Sequence, residues 1–170
     1  MTEPTAGDEY AKLIAEQLGE ERTTKTSLEQ RGITVVTTSG TLVTLLFGLV
    51  AVVTKDSHFR LDDLGRAGLF GALSLFVLAA IAALSTNFPQ QYQEVEPDEL
   101  ERLVTEQFWN ADQGLGSRRA SEVRVAVLKS ARAANAEKAR LVRWAIALEV
   151  AAVASLSYAV IHMLWQTTTS

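Results

Sequence analysis

Three stretches of this chain carry almost no charge, and the segments between them carry nearly all of it. Charges crowd into residues 1–32, 55–66 and 94–143. A helix in water needs a polar face and cannot leave charge out for twenty residues. Residues 33–54 contain no charged side chain, and neither do residues 67–86. At about 1.5 Å of rise per residue each covers the roughly 30 Å hydrocarbon core of a bilayer. Residues 144–165 form a third such stretch, with Trp144 and Trp165 at its two ends. Indole rings favour the headgroup level, and a helix of this length separates the two by about a bilayer thickness. The expected fold is all-α: an integral membrane protein with three transmembrane helices and a small cytoplasmic helical bundle.

The charged segments also show helical periodicity. Within residues 8–31, Tyr10, Ile14 and Leu18 share a stripe with Leu13 beside it. The run from Thr23 to Ser27 is a poor helix former, which leaves two readings: a break, or a helix running straight into the first span. Glu96-Pro97-Asp98-Glu99 reads as a helix start, followed by Leu100, Leu103, Val104 and Phe108 at helical spacing. Residues 110–116, with two glycines, read as a loop, and Ser117 as the cap of a last helix. That helix has a stripe of Val123, Val127 with Leu128, Ala131 and Ala134, and meets no breaker before Trp165. It is expected to leave the membrane as one rod of about 70 Å.

Composition refines this outline. The 170 residues are 48% hydrophobic and 21% charged, with a formal net charge of −4. A mean hydropathy of +0.10 averages two unlike populations. There is no basic excess to favour a nucleic acid polymer. The absence of cysteine excludes disulfides and thiolate metal sites, and His58 and His162 are the only histidines. Residues 1–32 are too polar to form a cleavable signal peptide, so the first span is expected to persist as an anchor. Basic residues near the spans stay in the cytoplasm. Lys12, Arg22, Lys25 and Arg31 precede the first span, and nine more, from Arg102 to Arg143, lie between the second and third. The 55–66 connection has only Lys55, Arg60 and Arg66, offset by Asp56, Asp62 and Asp63. Residues 1–32 and 87–143 are therefore expected in the cytoplasm, with 55–66 and 166–170 outside.

Candidate chemistry is sparse. Thr34, Thr37, Thr41, Thr44 and Gly48 line one stripe of the first span, with Thr38, Ser39 and Gly40 close by. Helix packing is the favoured reading of that stripe, and the wall of an oligomeric pore is the alternative. Gly68, Ala72, Ala79 and Ala83 on the second span, and Ala147, Ala151 and Ala154 on the third, are expected as matching small faces. Glu149 is the one carboxylate inside a span, and an interfacial or subunit-contact role is favoured over ion conduction. His162 reads as a belt residue. Arg118, Arg119, Arg124, Lys129 and Arg132, with Trp109 upstream, form a basic stretch. It could hold a phosphate-bearing ligand, against a plainer reading as a solvated face or a contact with anionic lipid. No phosphate loop, serine elbow, carboxylate pair or metal motif is present, so neither catalysis nor a cofactor is expected.

Two motifs carry a resemblance. Glu29-Gln30-Arg31-Gly32 leads into the first span, and Lys138 sits in the Ala-rich run 131–141 before the last. The arrangement resembles the transmembrane effectors of bacterial anti-phage nucleotide signalling, closest to the Pycsar transmembrane effectors, with SLATT-type proteins behind. Arg31-Gly32 stands where that pattern has Lys-Ala. The resemblance implies a homo-oligomeric inner-membrane protein that senses a cyclic pyrimidine nucleotide, cUMP or cCMP, made by a partner cyclase. It also implies that the sensed signal impairs the membrane and arrests the infected cell. On this reading Glu29, Arg31, Gly32 and Lys138 form a membrane-interface motif, with Glu29 and Lys138 at similar depth. The competing expectations are a constitutive membrane scaffold for a protein partner and a channel subunit.

Overall fold

In the computed structural model the described residues are 6–54, 63–88 and 113–169. All their regular structure is helical: α1 (Ala6–Thr54), α2 (Asp63–Ser85) and α3 (Gln113–Thr169). Each contains a stretch long and apolar enough to cross a membrane. The helix expected after Pro97, and Trp109, lie outside the described residues.

α1 is one unbroken helix of 49 residues, so the threonine run does not interrupt it. The hydroxyls explain why. Thr23, Thr26, Thr34, Thr37, Thr38, Thr41 and Thr44 each donate to the carbonyl four residues earlier, at 2.7–3.2 Å. Groups that could compete for the backbone instead join its ladder. α3 begins at Gln113, four residues before the expected cap, so Gly114 and Gly116 are helical and the loop reading fails for residues 113–116. Neither glycine adopts a positive φ. Arg118 and Arg119 both reach Glu122 in the first turns, at 3.4 and 3.1 Å, and support a start that glycine alone would weaken.

The chain divides into two compact units, residues 1–27 with 89–138 and residues 28–88 with 139–170. In the second unit three apolar layers fix the order of the helices. Val35 meets Ala79, Ala83 and Ala145; Leu42 and Val43 meet Ala72, Phe76 and Ala152; Leu46 meets Leu69, Ala159 and Met163. The numbering rises along α1 and α3 and falls along α2, so α1 and α3 run parallel and α2 opposes both. The buried positions of α2 are Gly65, Leu69, Ala72, Phe76, Ala79 and Ala83. Their alternating steps of four and three are the count of a left-handed helical seam.

Small residues set the distances. A Cβ on Gly68 would lie 2.9 Å from the Cβ of Ala159, and one on Gly32 would collide with Thr86 Oγ1 and stand 3.0 Å from the Ala83 carbonyl. Thr86 is held there by its own bond to that carbonyl, 2.7 Å, as α2 ends. Pro89, which follows, cannot continue a helix.

The small face expected on the second span is confirmed by the burial of Ala72, Ala79 and Ala83. On α3 the expected face does not pack within the chain: Ala147, Ala151 and Ala154 are exposed, while Ala145, Ala152 and Ala159 are buried. The helix holds alanine on two opposite sides, and the inward one meets Phe76 and Leu69 of α2. The threonine stripe is likewise not a packing face within the chain, since Thr34, Thr37, Thr41, Thr44 and Gly48 are all exposed. The buried side of α1 is Leu28, Gly32, Val35, Ser39 and Leu46.

Gly32→Ala and Gly68→Ala are expected to cost about 1–3 kcal/mol by overpacking. Gly19→Ala, with nothing within 4 Å, should be neutral or stabilising by up to about 1 kcal/mol. Thermal unfolding of the detergent-solubilised chain ranks the three, and equal melting temperatures would contradict the close packing.

Candidate functional site

The first unit holds a polar cluster built from one turn of α1 and one of α3. Glu21 lies one turn after Gln17, and Asn135 one turn after Arg132, so each pair projects from a single helix face. Arg132 Nε donates to Glu21 Oε1 at 3.1 Å, and Arg132 Nη2 donates to Gln17 Oε1 at 2.7 Å. Asn135 Nδ2 donates to Glu21 Oε2 at 2.8 Å and to the Glu21 main-chain carbonyl at 2.9 Å. The carboxylate is thus clamped between a guanidinium and an amide. Its side chain is 19% exposed and that of Arg132 53%. The ion pair is therefore neither fully screened nor fully dry. Hydrogen bonds to charged groups contribute about 1.5–3 kcal/mol each where water is largely excluded.

One feature marks this cluster as incompletely satisfied. Asn135 is buried, yet among the described residues its Oδ1 finds no hydrogen-bond donor. A buried acceptor without a partner costs about 1–3 kcal/mol. Lys138, one turn further along α3, is only 1% exposed. The same stretch of α3 packs Leu128 and Ala131, so a charged and amide-bearing turn continues an apolar one.

The arginines of the basic stretch have separate surroundings. Arg118 and Arg119 share Glu122, Arg132 belongs to the clamp, and Arg124 is exposed. An open groove of about 350 Å³ runs along Ile14, Ser121 and Val125, with Arg118 and Glu122 at its edge. Among the described residues no three acidic or histidine side chains gather as a metal would require.

In the second unit Glu149 is half-buried beside α1, where Ser39 Oγ donates to its Oε1 at 3.4 Å. Ser39 is itself 1% exposed, so this carboxylate is met by a hydroxyl inside the helix interface. Ser155 Oγ donates to the Gly68 carbonyl at 3.0 Å, a second polar tie, between α3 and α2. Thr37, Thr41 and Thr44 border an open face, with Thr37 and Thr41 lining a groove of about 400 Å³ alongside Gln30 and Thr34. His162 neighbours Tyr158, their ring centroids 6.1 Å apart. Of the interface motif, Gly32 is buried against the end of α2, Glu29 is half-buried and Arg31 exposed.

Sequence reasoning missed Gln17, Glu21 and Asn135, and named Ser39 without its bond to Glu149. The available signal was spacing: polar residues at steps of three and four that continue an apolar stripe, Glu21 after Ile14 and Leu18, and Asn135 after Leu128 and Ala131. Comparison with known proteins finds no protein family, no curated protein and no solved structure that matches the chain.

Lys138→Glu is expected to destabilise the chain by about 3 kcal/mol or more, because it reverses a buried charge. Lys12→Glu, at an exposed position, should stay within about 0.5 kcal/mol. Equal shifts in melting temperature would remove Lys138 from any structural role.

Proposed function

We propose that the chain is a multi-pass protein of the bacterial inner membrane, with its N-terminus and residues 87–143 in the cytoplasm, acting as a non-enzymatic effector. A cyclic pyrimidine nucleotide, cUMP or cCMP from a partner cyclase, shifts its cytoplasmic part between two states, and the altered membrane part impairs the bilayer. The result is growth arrest of a phage-infected cell.

The observation that carries the membrane assignment is an exterior as apolar as the interior. The second unit buries six alanines together with Val35, Leu46, Leu69, Phe76 and Met163, and it also leaves Leu45, Phe47, Phe70, Ile81, Val150, Ile161 and Trp165 exposed. In water so extensive an apolar exterior would drive aggregation; in lipid it is the ordinary surface. The effector assignment draws its support from the resemblance of Glu29-Gln30-Arg31-Gly32 and Lys138 to the anti-phage effectors. Two of those positions are tightly constrained: Gly32 admits no side chain, and Lys138 is almost wholly buried. A ligand acts on such a protein only through unequal affinity for two states, and the unbroken α1 and α3 each join a charged stretch to an apolar one.

A second reading, a constitutive scaffold for a protein partner, is favoured by the engagement of Arg118, Arg119 and Arg132 with acids of the same chain. It is favoured as well by the exposure of Tyr10 and Leu13.

The absence of cysteine makes topology directly measurable. In intact cells, after permeabilisation of the outer membrane, an impermeant maleimide should label His58→Cys but not Lys12→Cys or Arg140→Cys; labelling of all three, or of none but Lys12→Cys, contradicts the orientation. Co-expression with a uridylate or cytidylate cyclase should depolarise cells that carry the chain and leave cyclase-only cells polarised. Unchanged potential with both cyclases, together with ligand-independent recovery of one stable protein partner, would favour the scaffold.

A further inference from the structure

We infer that the Gln17–Glu21–Arg132–Asn135 cluster is a latch: a metastable polar closure between α1 and α3 within the first unit, built to open. It rests on the effector reading only in taking the closed form as the resting state.

Three observations carry it. The contact between the two helices at this level includes four directional polar bonds beside the buried Leu128 and Ala131 of α3. Arg132 and Asn135 grip one carboxylate, and Arg132 also holds Gln17. Such bonds specify one alignment and contribute nothing to a neighbouring one, so the closure has two states rather than a range. The grip is also incomplete, because the buried Oδ1 of Asn135 accepts no bond among the described residues. A buried acceptor that no protein donor reaches is a cost carried by the closed form, and it lowers the cost of opening. Lastly, the arginine stays within reach of solvent, while Glu21 is mostly covered. The cation can therefore be drawn off from outside without prior unfolding of the helices.

The latch fails as a unit. Loss of either Arg132 or Glu21 leaves the other charge against a partly dry interface, whereas an exposed charge such as Lys12 can be removed without consequence.

Labelling of a buried thiol reads the open population directly. Ala131→Cys places a thiol one turn before Asn135 at a position that is 8% exposed, in a chain with no other cysteine. In native membranes its maleimide labelling should be slow, and Glu21→Gln or Arg132→Gln should accelerate it about tenfold, as expected from losing one hydrogen bond to a charged group. Lys12→Gln should leave the rate unchanged. Unaltered helicity by circular dichroism ties the acceleration to local opening. Equal labelling rates in the clamp variants and the parent overturn the latch. Membrane potential without any cyclase separates the two readings. Faster labelling with spontaneous depolarisation supports both; faster labelling with normal potential in the variants, and with either cyclase, supports the latch and overturns the effector role.

Discussion

The close approach of helix backbones through glycine and alanine is the constraint on which the second unit depends. Where lipid surrounds a helix bundle, burying a large apolar side chain gains little, because the tails outside are as apolar as the core. Packing then rests on dispersion and on the few polar ties that close approach permits. Gly68 lets α3 come near enough for Ser155 to reach its carbonyl, and Gly32 lets α1 settle under the end of α2. Phe76 is the largest apolar side chain fully buried there, and the small side chains of Ala72 and Ala152 in the same layer accommodate it. Many other large apolar residues lie on the outside.

Among the described residues of the first unit, α1 and α3 meet through a clamped carboxylate and amide, with Ile14 and Leu18 half-buried and Leu128 buried on the same stretches. Polar contacts of this kind add less stability than specificity, since desolvation offsets much of their attraction. Among its described residues, one chain thus uses two chemistries of helix association.

Sequence alone made the spans legible, because the absence of charge over twenty residues has few other physical meanings. It also brought out the small residues of α2, where Phe76 and Leu69 break the symmetry of the helix. On α3 it picked the face that is not buried within the chain, because Ala147, Ala151 and Ala154 are as small as Ala145, Ala152 and Ala159, and only the neighbouring helix distinguishes the two sets. The threonine run was ambiguous for a related reason: whether a hydroxyl breaks a helix or joins it depends on its rotamer. The clamp was hidden because charged residues at helical spacing usually face water. Nothing in Glu21 or Arg132 taken singly reveals that each is answered from the other helix. The basic stretch did not show its partners in the sequence: Arg118 and Arg119 share Glu122 on their own helix, while Arg132 is answered by Glu21 from α1.

The exposed threonines of α1 have a further property. With every hydroxyl turned back onto the preceding turn, Thr34, Thr37, Thr41 and Thr44 present methyl groups to their surroundings and resemble valine to a lipid. Threonine has two accessible χ1 wells in a helix, so rotation about a single bond exchanges that methyl for a hydroxyl. A face of this kind can change its wettability while the backbone stays still.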